Sequence, residues 1–169
     1  MGAAAQVLKN FNLSVDGRGY AGQVEEVTLP ALVLKLEEMR MGGMDAPLGI
    51  DMGMEKLECG FVLVNYDINI LSLFGLVAGT DTGLTFRGGL ENTDGTVTPM
   101  LVAIRGRLNK LDPGKVKAGD KSGLTGEVSC SYLSITVGGV NTVTIDIPNM
   151  VRMIGGVDQL ALIRAAIGL

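Results

Sequence analysis

Histidine and tryptophan are both absent from this 169-residue sequence, and aromatic residues make up only 4% of it. Without histidine there is no Ser-His-Asp triad, no Cys-His nucleophile pair and none of the common catalytic zinc sites. Cysteine is confined to Cys59 and Cys130, in different strand-like segments and without metal-ligand neighbours. Two are too few for a disulfide framework, so the expectation is buried, reduced thiols. There is no basic excess either. Net charge is −4, from 14 Lys and Arg against 18 Asp and Glu, which argues against electrostatic capture of nucleic acid. Long apolar runs are missing, since the most apolar window, residues 68–78, is far short of the roughly 20 residues of a membrane span. The opening MGAAAQVLKN lacks a charged segment leading into an apolar one, and Gln6 breaks the myristoylation pattern. A soluble, cytoplasmically made protein with no signal peptide and no stable membrane insertion is expected.

What the chain does have is glycine, 25 residues of it, about double the usual share of roughly 7%. No collagen period accompanies it, so the glycines predict turns and close backbone approaches. Mean hydropathy is +0.36, a value that suits burial of surface against copies of the same chain. Charge is uneven along the sequence. Residues 1–69 hold 10 acids and 5 bases, while residues 70–169 hold 8 acids and 9 bases. Complementary halves suit head-to-tail contact between identical subunits. At this length a single domain over residues 1–169 is expected.

Taken in order, residues 1–10 read as a loose arm and residues 11–16 as a short strand ending at Asp16-Gly17, a pair that hairpins favour. Residues 20–29 read as the return strand, interrupted at Pro30, with residues 31–36 continuing extended. Residues 57–64 alternate cleanly, Leu57, Cys59, Phe61 and Leu63 against Glu58, Gly60, Val62 and Val64, which is the period of a strand. Residues 67–77 change to a helical period, with Asp67 as N-cap. Residues 84–87 and 97–108 pair across the turn at 91–95, with Val102, Ile104 and Leu108 on one face and Arg105 and Arg107 on the other. A lysine-rich connection follows at 109–123. Residues 124–137 form a long strand with Val128, Cys130 and Tyr132 opposite Ser129, Ser131 and Leu133. Gly138-Gly139 turns it back into residues 142–147. A closing helix is predicted over residues 157–167, with Asp158 in its first turn and Arg164 near its end.

Two motifs come close to nucleotide-binding patterns and fail on context. Gly17-Arg18-Gly19-Tyr20-Ala21-Gly22 fits G-x-G-x-x-G, but a dinucleotide site needs a helix to open directly after it. The continuation QVEEVTLP is β-branched and ends in proline, so a glycine-rich turn is the better reading. GKVKAGDKS at residues 114–122 places Asp120 ahead of the lysine, where a P-loop must hold phosphate. A solvated loop explains it. The pairs Glu25-Glu26 and Glu37-Glu38 cannot act as acid and base together, because neighbours on a strand point to opposite faces.

The stretch that stands out is residues 39–54, with five methionines, four glycines and one proline among arginine and aspartates. A long loop without regular pattern inside a compact domain is usually functional, and methionine suits adaptable contact surfaces. Its candidate contact residues are Met39, Arg40, Met41, Gly42, Gly43, Met44, Asp45, Pro47, Asp51, Met52 and Met54.

The order of blocks resembles a known family. VTLP is followed by LKLEEMRMGGMDAP, IDMGMEKLEC and an apolar mid-chain segment. Then come IRGR, a loop bearing lysine and aspartate, SCSYLSITVGG, and the ending TIDIPNMVRMIGGVDQLALIRAAIGL. Together these are similar to the major tail tube proteins of contractile-tailed bacteriophages of the P2 type and of R-type bacteriocins, which are related to the tube proteins of type VI secretion. The resemblance implies a mainly β fold, an antiparallel β-sandwich or partial barrel with a flanking mid-chain helix and a C-terminal helix. It implies a structural subunit, without catalysis or cofactor, whose hexameric rings stack into a hollow tube inside a sheath protein. On sheath contraction the tube is driven through a target envelope and conducts DNA or ions. Residues 39–54 would then contact the next ring, and Glu25, Glu26, Glu37, Glu38 and Glu58 would include carboxylates lining the lumen. DNA would pass without specific binding, and assembly in a bacterial cytoplasm would place the product in a virion or phage-like tail. The rivals are an effector-carrying secretion tube and a soluble β-sandwich that binds carbohydrate, for which the aromatic platform is thin.

Overall fold

The computed structural model describes residues 5–75 and 79–169. Strand β1 (Gln6–Val15) begins where the sequence pattern suggested a loose arm, because its first residues pair with the far end of β7 (Thr82–Asn92), Gln6 opposite Asn92. Asp16 and Gly17 take φ 51° and 78°, the left-handed pair of a tight hairpin turn. The returning β2 (Arg18–Gly19) lasts only two residues. Tyr20 then turns inward, is buried, and donates its hydroxyl to Asp67 Oδ1 at 3.2 Å. The chain therefore crosses the core, and β3 (Val24–Thr28) pairs with β6 (Glu58–Leu63), not with β1 as a single long return strand would.

The long strands carry the fold. β7 and β8 (Val97–Asp112) form a hairpin, and β8 runs against β9 (Leu124–Val137) along nearly its whole length. The expected faces hold in β6, where Leu57, Cys59, Phe61 and Leu63 are all buried, and in β8, where Val102, Ile104 and Leu108 are. In β9 they hold only to Cys130. The register slips between Arg105 opposite Tyr132 and Gly106 opposite Cys130, leaving Ser131 as an extra residue. That bulge flips the remainder of the strand. Leu133 is buried, while Tyr132 faces out beneath Arg105, whose guanidinium carbon lies 4.3 Å from the ring centre.

The bulge is also where the sheet forks. On the side of β9 away from β8, residues 124–129 pair with β6, while residues 132–137 pair with β10 (Val140–Asp146). The amide of Cys130 between them donates to Leu57 O at 2.9 Å. Ten strands thus form one branched antiparallel sheet that curls around a single core, a sandwich open on one side. Gly106 permits the bend. A Cβ there would stand 2.2 Å from the carbonyl oxygen of Ser129 and 2.9 Å from Cys130 Cα.

Both predicted helices are present and shorter. α1 (Ile68–Leu71) is one turn, capped by Asp67, whose Oδ1 accepts from the amides of Asn69 and Ile70. Turns continue to Gly75, and the rest of the helix expected to residue 77 lies outside the described residues. After β10 the chain adds β11 (Val151–Ile154), then turns at Gly155-Gly156, both left-handed, into β12 (Val157–Asp158). α2 (Ala161–Ala166) starts later than predicted because Val157 and Asp158 are spent in this hairpin. Asp158 Oδ2 accepts from Arg164 at 2.8 Å and Oδ1 from the Leu160 amide, so two residues expected at opposite ends of the helix instead bond to each other across its start.

Candidate functional site

Residues 39–54 are not an irregular loop. β4 (Leu34–Met39) and β5 (Leu48–Met54) form a two-stranded antiparallel sheet of their own, Leu36 opposite Asp51 and Met39 opposite Leu48. Met39 ends β4, and Asp51, Met52 and Met54 lie in β5. Arg40, Met41, Gly42, Gly43, Met44, Asp45 and Pro47 make the tip. The tip is closed by the Met44 amide donating to Met41 O and by Arg40 Nε donating to Met44 O at 3.3 Å. Regular alternation was hidden because neither face of this hairpin meets a core beyond its base at Gly53 and Met54. All six residues of β4 are exposed, Leu36 at 58%, and so are Met41 at 58% and Leu48 at 57%. An isolated two-stranded hairpin is marginal in water, and an uncovered apolar patch of this kind marks a contact surface.

The hairpin is tied down at its base. Asp51 Oδ2 accepts from Arg152 Nη2 at 2.7 Å, linking β5 to β11 across 101 residues of sequence. The Arg152 bond and the amide of Gly53 hold the Asp51 carboxyl below the usual range. Met54 packs on the core, and the Glu55 amide donates to Val33 O at 2.9 Å. Sequence reasoning found Asp51 and missed Arg152. Nothing local to either residue signals the pair.

The five candidate carboxylates separate. Glu37 and Glu38 stand on opposite faces of the hairpin, opposite Ile50 and Gly49. Glu25 is the extra residue where the β3–β6 register slips, and its carboxylate pairs with Lys121 of the loop before β9. Glu26 and Glu58 do share a surface. Glu26 lies opposite Val62, and Glu58 opposite Ser129, on the side of β6 facing away from Cys59, Phe61 and Leu63. Three further charges that sequence reasoning did not single out reach this face, two by register and one by its side chain. Glu127 lies opposite Gly60, and Lys110 opposite Glu127, bonded at 3.3 Å, while Lys56 reaches Glu58 at 2.6 Å. A strand face is legible only once its neighbours are known.

The same four strands, β3, β6, β9 and the end of β8, leave two rows of backbone groups open. Among the described residues, β3 has a strand on one side only, β6. Among the same residues, β8 beyond Gly106 has β9 on one side, and on the other the Gly75 amide reaching Leu108 O at 3.5 Å. Open edges are templates for pairing with another chain. The glycine-rich segment at residues 17–22 is a turn and a two-residue strand, with no helix opening after it. Cys59 and Cys130 are free and buried, and burial pushes their thiols up to about 12 and about 11. Among the described residues no group of His, Cys, Asp or Glu is placed to hold a metal. No helix of the described residues is long and apolar enough to cross a membrane.

Comparison with known proteins adds the context. The family of phage tail tube protein FII matches over residues 5–168. The tail tube protein of Escherichia phage P2 is 32% identical over 171 residues, covering 99% of each chain. The major tail tube protein of Serratia phage KSP20 is 29% identical over 155 residues, covering 88% of this chain and 87% of the relative. Among solved structures, a chain of the sheath-tube complex of an extracellular contractile injection system in its extended state superposes with a TM-score of 0.57 at 12% identity, covering 75% of this chain and 87% of the other. That likeness is one of fold.

Proposed function

Since the chain belongs to the phage tail tube protein FII family and is a structural component of a contractile tail, we propose that it closes into rings through its two open strand edges and stacks through the β4–β5 hairpin. The ring is a hexamer, as the resemblance of the sequence to P2-type tail tubes implies. The stacked tube sits inside a sheath whose contraction drives it through a target envelope, and DNA or ions pass along its lumen.

The observation that carries ring closure is the pair of open edges on one half-sheet. β3, β6, β9 and residues 107–112 of β8 alternate in direction. Four strands is an even number, and rotation about a tube axis leaves strand direction unchanged. The β3 of the next subunit therefore runs antiparallel to β8, and the repeat joins into a continuous antiparallel barrel that has no edges left. The outward face of this half-sheet, with Glu26, Glu58 and Glu127, becomes the lumen wall. Glu37 and Glu38 ride on the hairpin and fall outside it.

Stacking rests on the uncovered hairpin. It projects from the sheet fork with apolar side chains on both strands, and a heterologous contact of this kind propagates as an open filament. Negative-stain microscopy of the purified protein should show rings or tubes with a central hole, and persistent monomers at high concentration would refute the reading. Replacing residues 36–50 by a short Gly/Ser link should leave rings and abolish tubes. Tubes of normal length from that variant would remove the hairpin from the stacking contact.

A further inference from the structure

We propose that neighbouring subunits join in one register, Val24 of one subunit opposite Leu111 of the next and Val27 opposite Leu108, selected by a matched pair of bulges. This inference rests on the edge-to-edge ring described above and adds how the two edges meet. Only every second residue of a regular strand offers its N–H and C=O to a given side. The Cys130 amide donates to Leu57 O, so along β6 the residues Cys59, Phe61 and Leu63 bond toward β9, and Gly60 and Val62 toward β3. The Val64 amide, donating to Gln23 O, keeps that step. Val24 and Val27 of β3, opposite Leu63 and Phe61, therefore turn their backbone groups to the open edge. By the same alternation Leu108 and Leu111 do so on β8, and the Gly75 amide reaches Leu108 O from that side. Both edges carry the same irregularity. Glu25 is an extra residue in β3 and Asn109 an extra residue in β8. Each edge thus offers two residues spaced three apart, where regular strands would space them two apart.

Three alignments are available, and one fits. With Val24 on Leu111 and Val27 on Leu108, both bulges fall in the same gap. Thr28, the last residue of β3, then faces Arg107, the first residue of β8 beyond its ladder with β7. Sliding β3 one step toward β7 drives Val27 onto Gly106, which is already paired with Thr82. Sliding it the other way puts Val24 on Pro113, which has no N–H, and sets Glu26 opposite Asp112, a destabilising like-charge pair. The side chains favour the first alignment too. Val24, Val27 and Leu111 are half-buried against the core beside buried Leu108, and in this register they close over it together. On the other face Glu26, which makes no ion pair among the described residues, shares the gap with Lys110, while Glu25 is held by Lys121. Arg107 Nε is buried and without a hydrogen-bond partner among the described residues, and the facing Thr28 hydroxyl supplies an acceptor. Ring closure exchanges the long Gly75 bond to Leu108 O, 3.5 Å, for the amide of Val27.

The test is disulfide trapping in assembled rings. Thr28 and Arg107 would face each other as a widely spaced pair with Cα atoms about 4.5 Å apart, within reach of a disulfide. Rings of Thr28→Cys/Arg107→Cys, oxidised with copper phenanthroline, should give a non-reducing gel ladder that ends at the covalently closed ring. Thr28→Cys/Lys110→Cys, the pair that the slid register would bring together, should remain monomeric on the gel. A ladder from the second variant in place of the first, or from neither when both form rings, would overturn the register. Charge reversal covers the case in which the cysteine variants do not assemble. Glu26→Lys should raise the concentration needed for assembly several-fold, as should Lys110→Glu, and the double exchange should restore it. Easier assembly by Glu26→Lys alone would instead place it against Asp112, and unchanged assembly by both single variants would leave no contact at this seam; either result overturns the inference. Failure of the wild-type protein to form rings is a separate outcome, which refutes the ring reading itself.

Discussion

Gly106→Ala tests the bent core of the fold with a single added carbon. At this position the new Cβ meets the Ser129 carbonyl oxygen at 2.2 Å, the Ser129 carbonyl carbon at 2.9 Å and Cys130 Cα at 2.9 Å. All three are backbone atoms at the fork of β9, so no side chain can rotate away to make room. Relief requires β8 and β9 to part by about 1 Å at the β9 bulge, taking neighbouring ladder bonds with them. Overpacking of a tight interior costs about 1–3 kcal/mol, and each lost backbone bond adds about 1 kcal/mol, for a total near 3–5 kcal/mol. For a domain of this size that corresponds to a melting shift of about 6–20 °C. The control is Gly83→Ala on the neighbouring strand. A Cβ there meets nothing within 4 Å and the backbone is not left-handed, so the same exchange should be neutral or raise stability by about 0.5–1 kcal/mol. Thermal unfolding by circular dichroism, at one low protein concentration so that association contributes equally, reads both variants. If Gly106→Ala melts within about 2 °C of wild type, or together with Gly83→Ala, the bend is not held by close strand approach, and the fork is more compliant than these distances state.

Three further outcomes follow from the side-chain chemistry. Arg152→Ala should free the hairpin base while leaving the core intact, seen as faster protease cleavage within residues 40–47 and a melting point changed by far less than in Gly106→Ala; unchanged cleavage would mean that the Asp51 bond is dispensable. The buried thiols are neutral in the fold, with pKa values raised to about 12 for Cys59 and about 11 for Cys130 from 9.0. The unfolded chain releases those protons first, so stability is fully present below pH 9 and declines as pH rises from there toward 11–12, a decline that Cys59→Val should lessen in a urea titration series. The carboxyls of Asp51, Asp67 and Asp158 are held below their ordinary value of 3.8 by their hydrogen bonds. Their contribution is present above that value and lost as pH falls beneath it, and Asp158→Asn should remove part of the acid-side loss seen by helix content at the C-terminus.

The strands with a core on one side were readable from the sequence, and those without one were not. In β6 the alternation of Leu57, Cys59, Phe61 and Leu63 reports a real interior, so period and burial agree. In β5 the run LGIDMGM alternates against no interior, because residues 48–52 are exposed on both faces, and glycine with methionine then reads as loop. The flip at Ser131 was invisible for another reason. A bulge depends on the partner strand, and the exchange of Tyr132 for Leu133 on the core side needs the β8 register to be known. The placement of the candidate lumen residues was hidden for the same reason. Glu26 and Glu58 lie together only because β3 pairs with β6, and the lysines that answer them come from β8 and from the entry to β6. The family was legible throughout, since it rests on the order of blocks and needs no register.

β9 belongs to both arms of the forked sheet, and this gives the subunit a load path. In the proposed stack, axial force entering at the hairpin tip would reach the body through the Met54–Leu57 base, where the Cys130 amide is bonded to Leu57 O. From there it divides between β6 on one arm and, through Arg152 and β11, β10 on the other. The β6 ladder runs in register along β9 and the β10 ladder does so from Val143 to Asp146, so a push on the hairpin would load several hydrogen bonds together instead of opening them one by one. Stacked as proposed, such subunits would transmit thrust as a stiff column.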